Sequence, residues 1–149
     1  MAITQAMATS FKVEILDGIH NFGVGVVRAS TAADTFKIAL YTSAATLDAT
    51  TTVYTTSNEV VGTGYTAGGN ILAVSVVPVS SGTTAYLSFS NSSWSTATIT
   101  ARGAMIHNST QGNKCVAVLD FGSDKTSTAG TFTIVFPTAA AGTAIIQIA

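Results

Sequence analysis

The sequence predicts an all-β protein: an antiparallel β-sandwich of about seven strands, with a short N-terminal arm and helix and one long loop excursion over residues 43–69. Three observations predict it. From Asp34 onward, apolar residues recur mostly at every second position, the period of a half-buried strand. Thr and Val, which suit a pleated surface, dominate these runs. Clusters of Ser, Asn and Gly at 80–82, 91–93, 109–113 and 122–130 punctuate them at the short intervals of a sandwich.

Residues 1–9 are small and polar without periodicity, and read as a flexible arm preceding a single sandwich domain over 10–149. In SFKVEILDGIHNF, residues 10–22, Phe11, Ile15, Leu16, Ile19 and Phe22 recur at spacings of three and four, with Ser10 placed to cap a short amphipathic helix. A strand with Phe11, Val13 and Ile15 on one face is the alternative; the spacing favours the helix.

The strands follow. FKIALY sets Phe36, Ile38 and Leu40 against Lys37, Ala39 and Tyr41. NILAVSVVPV alternates through Leu72, Val74 and Val76, and Pro78 marks it as an edge strand, because proline cannot donate to a ladder. TAYLSF aligns Ala85, Leu87 and Phe89; ATITARGAMIHN aligns Ile99, Ala101, Gly103 and Met105. CVAVLDF, TFTIVF and the closing AIIQIA complete the set. Several are apolar on both faces, as in a sandwich whose outer face is also covered. Residues 43–69 break the rhythm: too long for a hairpin, with a helical turn expected around residues 53–60, and placed to make contacts.

Charge bounds the function. The 149 residues carry six basic and seven acidic side chains, 9% of the chain against roughly 25% in a typical domain. Mean hydropathy is +0.47. A folded monomer of this mass exposes roughly 7,000 Å², so charge is sparse on its surface, a condition under which apolar surface associates. The scattered Lys12, Arg28, Lys37, Arg102, Lys114 and Lys125 form no stripe for nucleic acid. No run is long and apolar enough for a spanning helix, and the start lacks a secretory pattern, so manufacture in a cytoplasm is expected.

No catalytic constellation emerges. Glycines 62, 64, 68 and 69 lack the lysine of a phosphate loop, and a strand rather than a helix follows them; turn glycines with positive φ explain them better. His20, His107 and Cys115 form no metal-ligand spacing, so neither a metal nor a cofactor is expected. Cys115, the only cysteine, can form no intrachain disulfide and sits in an apolar strand, and His107 ends a strand where it can contact a loop. Glu59, Asp17, Asp120 and Asp124 could supply acid pairs, but nothing selects one pair. Arg102, the one charge in TARGAMI, is either outward or paired with an acid such as Asp120. Trp94, in a presumed SSWS turn, either anchors an interface or plugs one end of the sandwich.

The segments FKIALYTSAATLDATTTVYTTSNEVVGTGYTAGGNIL, WSTATITARGAMIHN and CVAVLDFGSDKTSTAGTFTIVFP resemble small structural proteins of tailed bacteriophages. The recognisable points are Ala39-Leu40-Tyr41, Gly62-Thr63-Gly64-Tyr65, Ala101-Arg102-Gly103-Ala104 and Leu119-Asp120-Phe121-Gly122. The resemblance implies a non-enzymatic virion component, such as a trimeric capsid decoration or cement protein bound to the major capsid protein. It supplies no catalytic residues. A neck, tail or fibre-base protein is the alternative, and a glycan-binding module using Tyr41, Tyr54, Tyr65 and Trp94 a further one. Contacts are expected at Thr4, Phe11, Tyr54, Tyr65, Trp94 and Arg102.

Overall fold

A computed structural model describes every residue except 1, 9, 12–14, 16, 17, 25–31 and 83. Among the described residues the strands are β1 (Ala6–Met7), β2 (Phe36–Tyr41), β3 (Asn70–Leu72), β4 (Val74–Ser81), β5 (Thr84–Phe89), β6 (Ser92–Asn108), β7 (Lys114–Ile134) and β8 (Ile146–Ile148). They form a five-stranded sheet, β1-β7-β6-β2-β3, and a three-stranded sheet, β4-β5-β8. Every neighbouring pair is antiparallel. The fold is all-β and sandwich-like, as the alternation predicts, with a total accessible surface of 7275 Å².

β2 is the centre. Phe36, Ile38, Ala39, Leu40 and Tyr41 are all essentially unexposed, although they alternate between faces. On the Phe36 face, Phe22 stacks on Phe36 at 4.4 Å, and Phe89 of the smaller sheet approaches Phe36 to 5.8 Å. On the opposite face, Tyr41 donates its hydroxyl to the Thr55 carbonyl at 2.6 Å. The five-stranded sheet is thus covered on one side by Phe22 and the smaller sheet and on the other by residues 43–69. Strands that read as apolar on both faces are satisfied within the chain itself.

The N-terminal segment differs from the loose arm expected. Thr4 N–H donates to Leu47 O at 3.1 Å, Ala6 and Met7 pair with Val118 and Ala117, and Ala8 N–H reaches Val116 O. Ile3 and Ala8 are buried on either side of this short strand. Gly103 makes the room: a Cβ there would lie 2.8 Å from Ile3 Cδ1. Of the expected helix, Ser10, Phe11 and Ile15 have helical backbone, with Ser10 inside the helix rather than capping it; residues 12–14, 16 and 17 lie outside the described ones.

Three further expectations are corrected. The run over 70–79 is two strands, because the chain leaves one sheet at Ala73 and enters the other; the return crossing is at Ser90 and Asn91, and Ser90 N–H ties the two crossings by donating to Ala73 O at 2.9 Å. The presumed turns at 92–93 and 122–130 lie inside β6 and β7, and Trp94 lies in β6. These arms stay paired through four register shifts, helped by positive φ at Thr96, Gly122 and Ala129. The helical turn expected over 53–60 is instead a pair of antiparallel bridges, Val53 to Lys114 and Glu59 to Tyr41, with Asn58 at φ 59°. Pro78 lies on the edge strand β4, at a break in its register.

Candidate functional site

Residues 43–69 are fastened to the sheet by a buried polar cluster. Glu59 is the only charged residue between Asp48 and Arg102, and it is 6% exposed. Its Oε2 accepts the Tyr54 hydroxyl at 2.7 Å; its Oε1 accepts the Tyr65 hydroxyl at 2.6 Å and Gly68 N–H at 2.7 Å. The Tyr65 oxygen in turn accepts Leu40 N–H of β2 at 2.9 Å. The Tyr54 ring stacks on His107 at 4.7 Å, and His107 Nε2 lies 3.3 Å from Gly68 O, so that nitrogen donates.

Turn glycines shape the cluster. Gly64, Gly68 and Gly69 all have positive φ, as the sequence reading preferred. Gly62 serves by close approach, since a Cβ there would sit 2.4 Å from Thr98 O.

Electrostatics keep the donors neutral. Burial, then Glu59, pushes the Tyr54 hydroxyl up to about 12. Tyr65 rises further for the same reasons, and Tyr41 rises mainly through burial. A raised folded value means that the unfolded chain ionises first, so this stability is present below about pH 10 and lost as pH rises through the folded values. Tyrosinate absorbance from these three side chains is therefore expected to appear together with loss of β-sheet circular dichroism during alkaline titration. A rise completed while the sheet signal is intact would contradict the cluster.

Burial lowers the His107 pKa below its ordinary 6.5, with Lys37 adding to the effect and the Gly68 carbonyl opposing it. Here the unfolded chain takes up the proton first as pH falls. The contribution is present above about pH 6.5 and is lost as pH falls through the folded value. The melting temperature is expected to fall between about pH 7 and about pH 5 less steeply in His107→Gln than in the unsubstituted protein. Equal slopes would assign the effect elsewhere.

The cluster is built to hold chain segments together, since every donor or acceptor that Glu59 meets belongs to the fold. Among the described residues, no group of three or more His, Cys, Asp or Glu could hold a metal ion. Cys115, the one cysteine of the sequence, is buried.

The residues expected at contacts are dispersed. Phe11 is fully enclosed among His20 and Phe22. Trp94 is 4% exposed and packs on Phe132 and Tyr65, filling the core. The Tyr54 and Tyr65 hydroxyls turn inward onto Glu59, while Thr4 is exposed. Arg102 Nε donates to Asp120 Oδ1 at 3.0 Å, the pairing the sequence offered. That guanidinium, then Gly122 N–H, holds the Asp120 carboxyl below the usual range.

Sequence reasoning missed a second feature. No charged residue occurs in 60–101 or 126–149, so the entire β4-β5-β8 sheet is uncharged. All charged side chains among the described residues belong to the five-stranded sheet or to segment 34–59. The uncharged region exposes Val77 (49%), Val79 (44%), Val135 (70%) and Ile148 (45%). A groove of about 590 Å³ runs beside β7 and the C-terminal segment, lined by Phe121, Phe132, Val135, Phe136 and Ile145 among threonines.

Among the described residues, no helix is long and apolar enough to cross a membrane. Comparison with protein families, curated proteins and solved structures finds no match to this chain.

Proposed function

We propose that the chain is a non-enzymatic structural component of a tailed-phage particle, a capsid decoration or cement protein that binds the outer shell and is assembled in the host cytoplasm. The observation that carries the assembly half of this reading is the separation of charge from an uncharged sheet with exposed valines. Such a surface is costly to leave in water and favourable to bury against a partner. The phage half rests on the resemblance of 36–137. The buried cluster adds a second support: it locks the long loop, and a rigid scaffold loses little entropy on docking.

The partners in this reading are further copies of the chain and the major capsid protein. Labelling the protein and imaging purified particles by electron microscopy tests it. Many copies over the shell are expected; absence from the particle overturns the reading, and a few copies at one vertex move the protein to the neck or tail. The glycan-binding alternative gains nothing from the geometry, because Tyr41 and Trp94 are buried and the other two tyrosines face Glu59.

A further inference from the structure

We infer that the chain assembles head to tail with copies of itself, the Val77–Val79 edge of β4 entering the groove beside β7 of the next copy. This deepens the assembly reading and rests on it. The groove and the valine edge lie on opposite sides of the smaller sheet. Its order is β4-β5-β8, and Ile145, which lines the groove, immediately precedes β8. A protomer therefore cannot bring the two together within itself.

Their chemistry matches. β4 and β5 carry no charge, and Val77 and Val79 are about half exposed on the edge strand. Pro78 between them interrupts any long backbone ladder, so this edge offers side chains more readily than hydrogen bonds. The groove presents Phe121, Phe132 and Phe136 at its wall and Val135 at its rim. Its volume of about 590 Å³ accommodates several aliphatic side chains. Its acid, Asp120, is paired with Arg102, and the Lys125 ammonium, the other charge in its lining, is turned to the exposed Ser123 hydroxyl. The groove also continues an existing pairing edge: β1 covers β7 only at Ala117 and Val118, and Gln5 lies at the groove's mouth.

Two different surfaces meeting in this way form a heterologous contact, which closes into a ring or grows as a filament. A ring of few copies fits a subunit displayed on a shell. The test uses Val79→Asp and Val135→Asp, both exposed positions, with unchanged melting temperature as the folding control. The unsubstituted protein is expected to be oligomeric by light scattering at high micromolar concentration, and each variant monomeric. Mixing the two variants is expected to give a one-to-one dimer, because each retains the surface the other lost. A monomeric unsubstituted protein overturns the inference, as does a variant that still assembles, or a mixture that stays monomeric. Particle incorporation by a protein that is monomeric in this assay would overturn the self-contact alone and leave the virion reading standing.

Discussion

Glu59→Ala is expected to cost about 3–5 kcal/mol, because buried donors left without an acceptor cost about 1–3 kcal/mol each. The change leaves three donors without their acceptor: the Tyr54 and Tyr65 hydroxyls and Gly68 N–H. Tyr65 is also the acceptor for Leu40 N–H, so its displacement reaches the central strand. At about 2–4 °C per kcal/mol for a domain of this length, melting should fall by on the order of 10 °C. Glu59→Gln keeps one oxygen for Tyr65 and Gly68 and should lose about 1–2 kcal/mol, the worth of hydrogen bonds to a charged group. Chemical denaturation of both variants checks the order. Equal losses would mean that side-chain volume, and not the carboxylate, holds the loop.

Gly69→Ala is expected to be more damaging. A Cβ at this position would sit 1.7 Å from Ile38 O and 2.8 Å from Ala39 Cα, and φ is +68°. No side-chain adjustment relieves an overlap with the backbone of β2. The segment must leave the strand, with a loss beyond about 4 kcal/mol. Gly82→Ala is the control: φ is +58° but nothing lies within 4 Å of the added carbon. Only the left-handed penalty remains there, about 1 kcal/mol. Urea midpoints compared at constant slope report both costs. Similar midpoints for the two variants would remove the close approach as the reason for Gly69.

These positions show where the sequence was legible. β2 and β5 are flanked by covered faces, and their period-two patterns mark them without ambiguity. The middle of the β6–β7 ribbon is solvated on much of its surface, so Thr, Ser and Gly occupy it and imitate a turn. At Ala73 the alternation runs on smoothly across a change of sheet, and no local residue marks the crossing. The cluster was half visible. Glu59 stands alone in a long uncharged stretch with Tyr54 and Tyr65 on either side, a pattern that could have singled it out from the other acids. That His107 would contact a loop was anticipated; which loop, and that it stacks on Tyr54, depends on the register between β6 and β2, where it faces Lys37. The uncharged sheet went unrecognised because charge was counted over the whole chain and not by region.

The paired crossings at Ala73 and Ser90 have a mechanical consequence. The β4–β5 hairpin is the continuation of β3 and β6, and these two strands flank β2 in the larger sheet. Tension applied at the hairpin tip divides between them and meets β2 from both sides, through three register pairs with β3 and six with β6. Pulling the hairpin away along the strands therefore requires both ladders to slide together, and hydrogen bonds loaded in parallel share the force. A subunit gripped by its hairpin transmits strain directly to the most deeply buried strand of the fold.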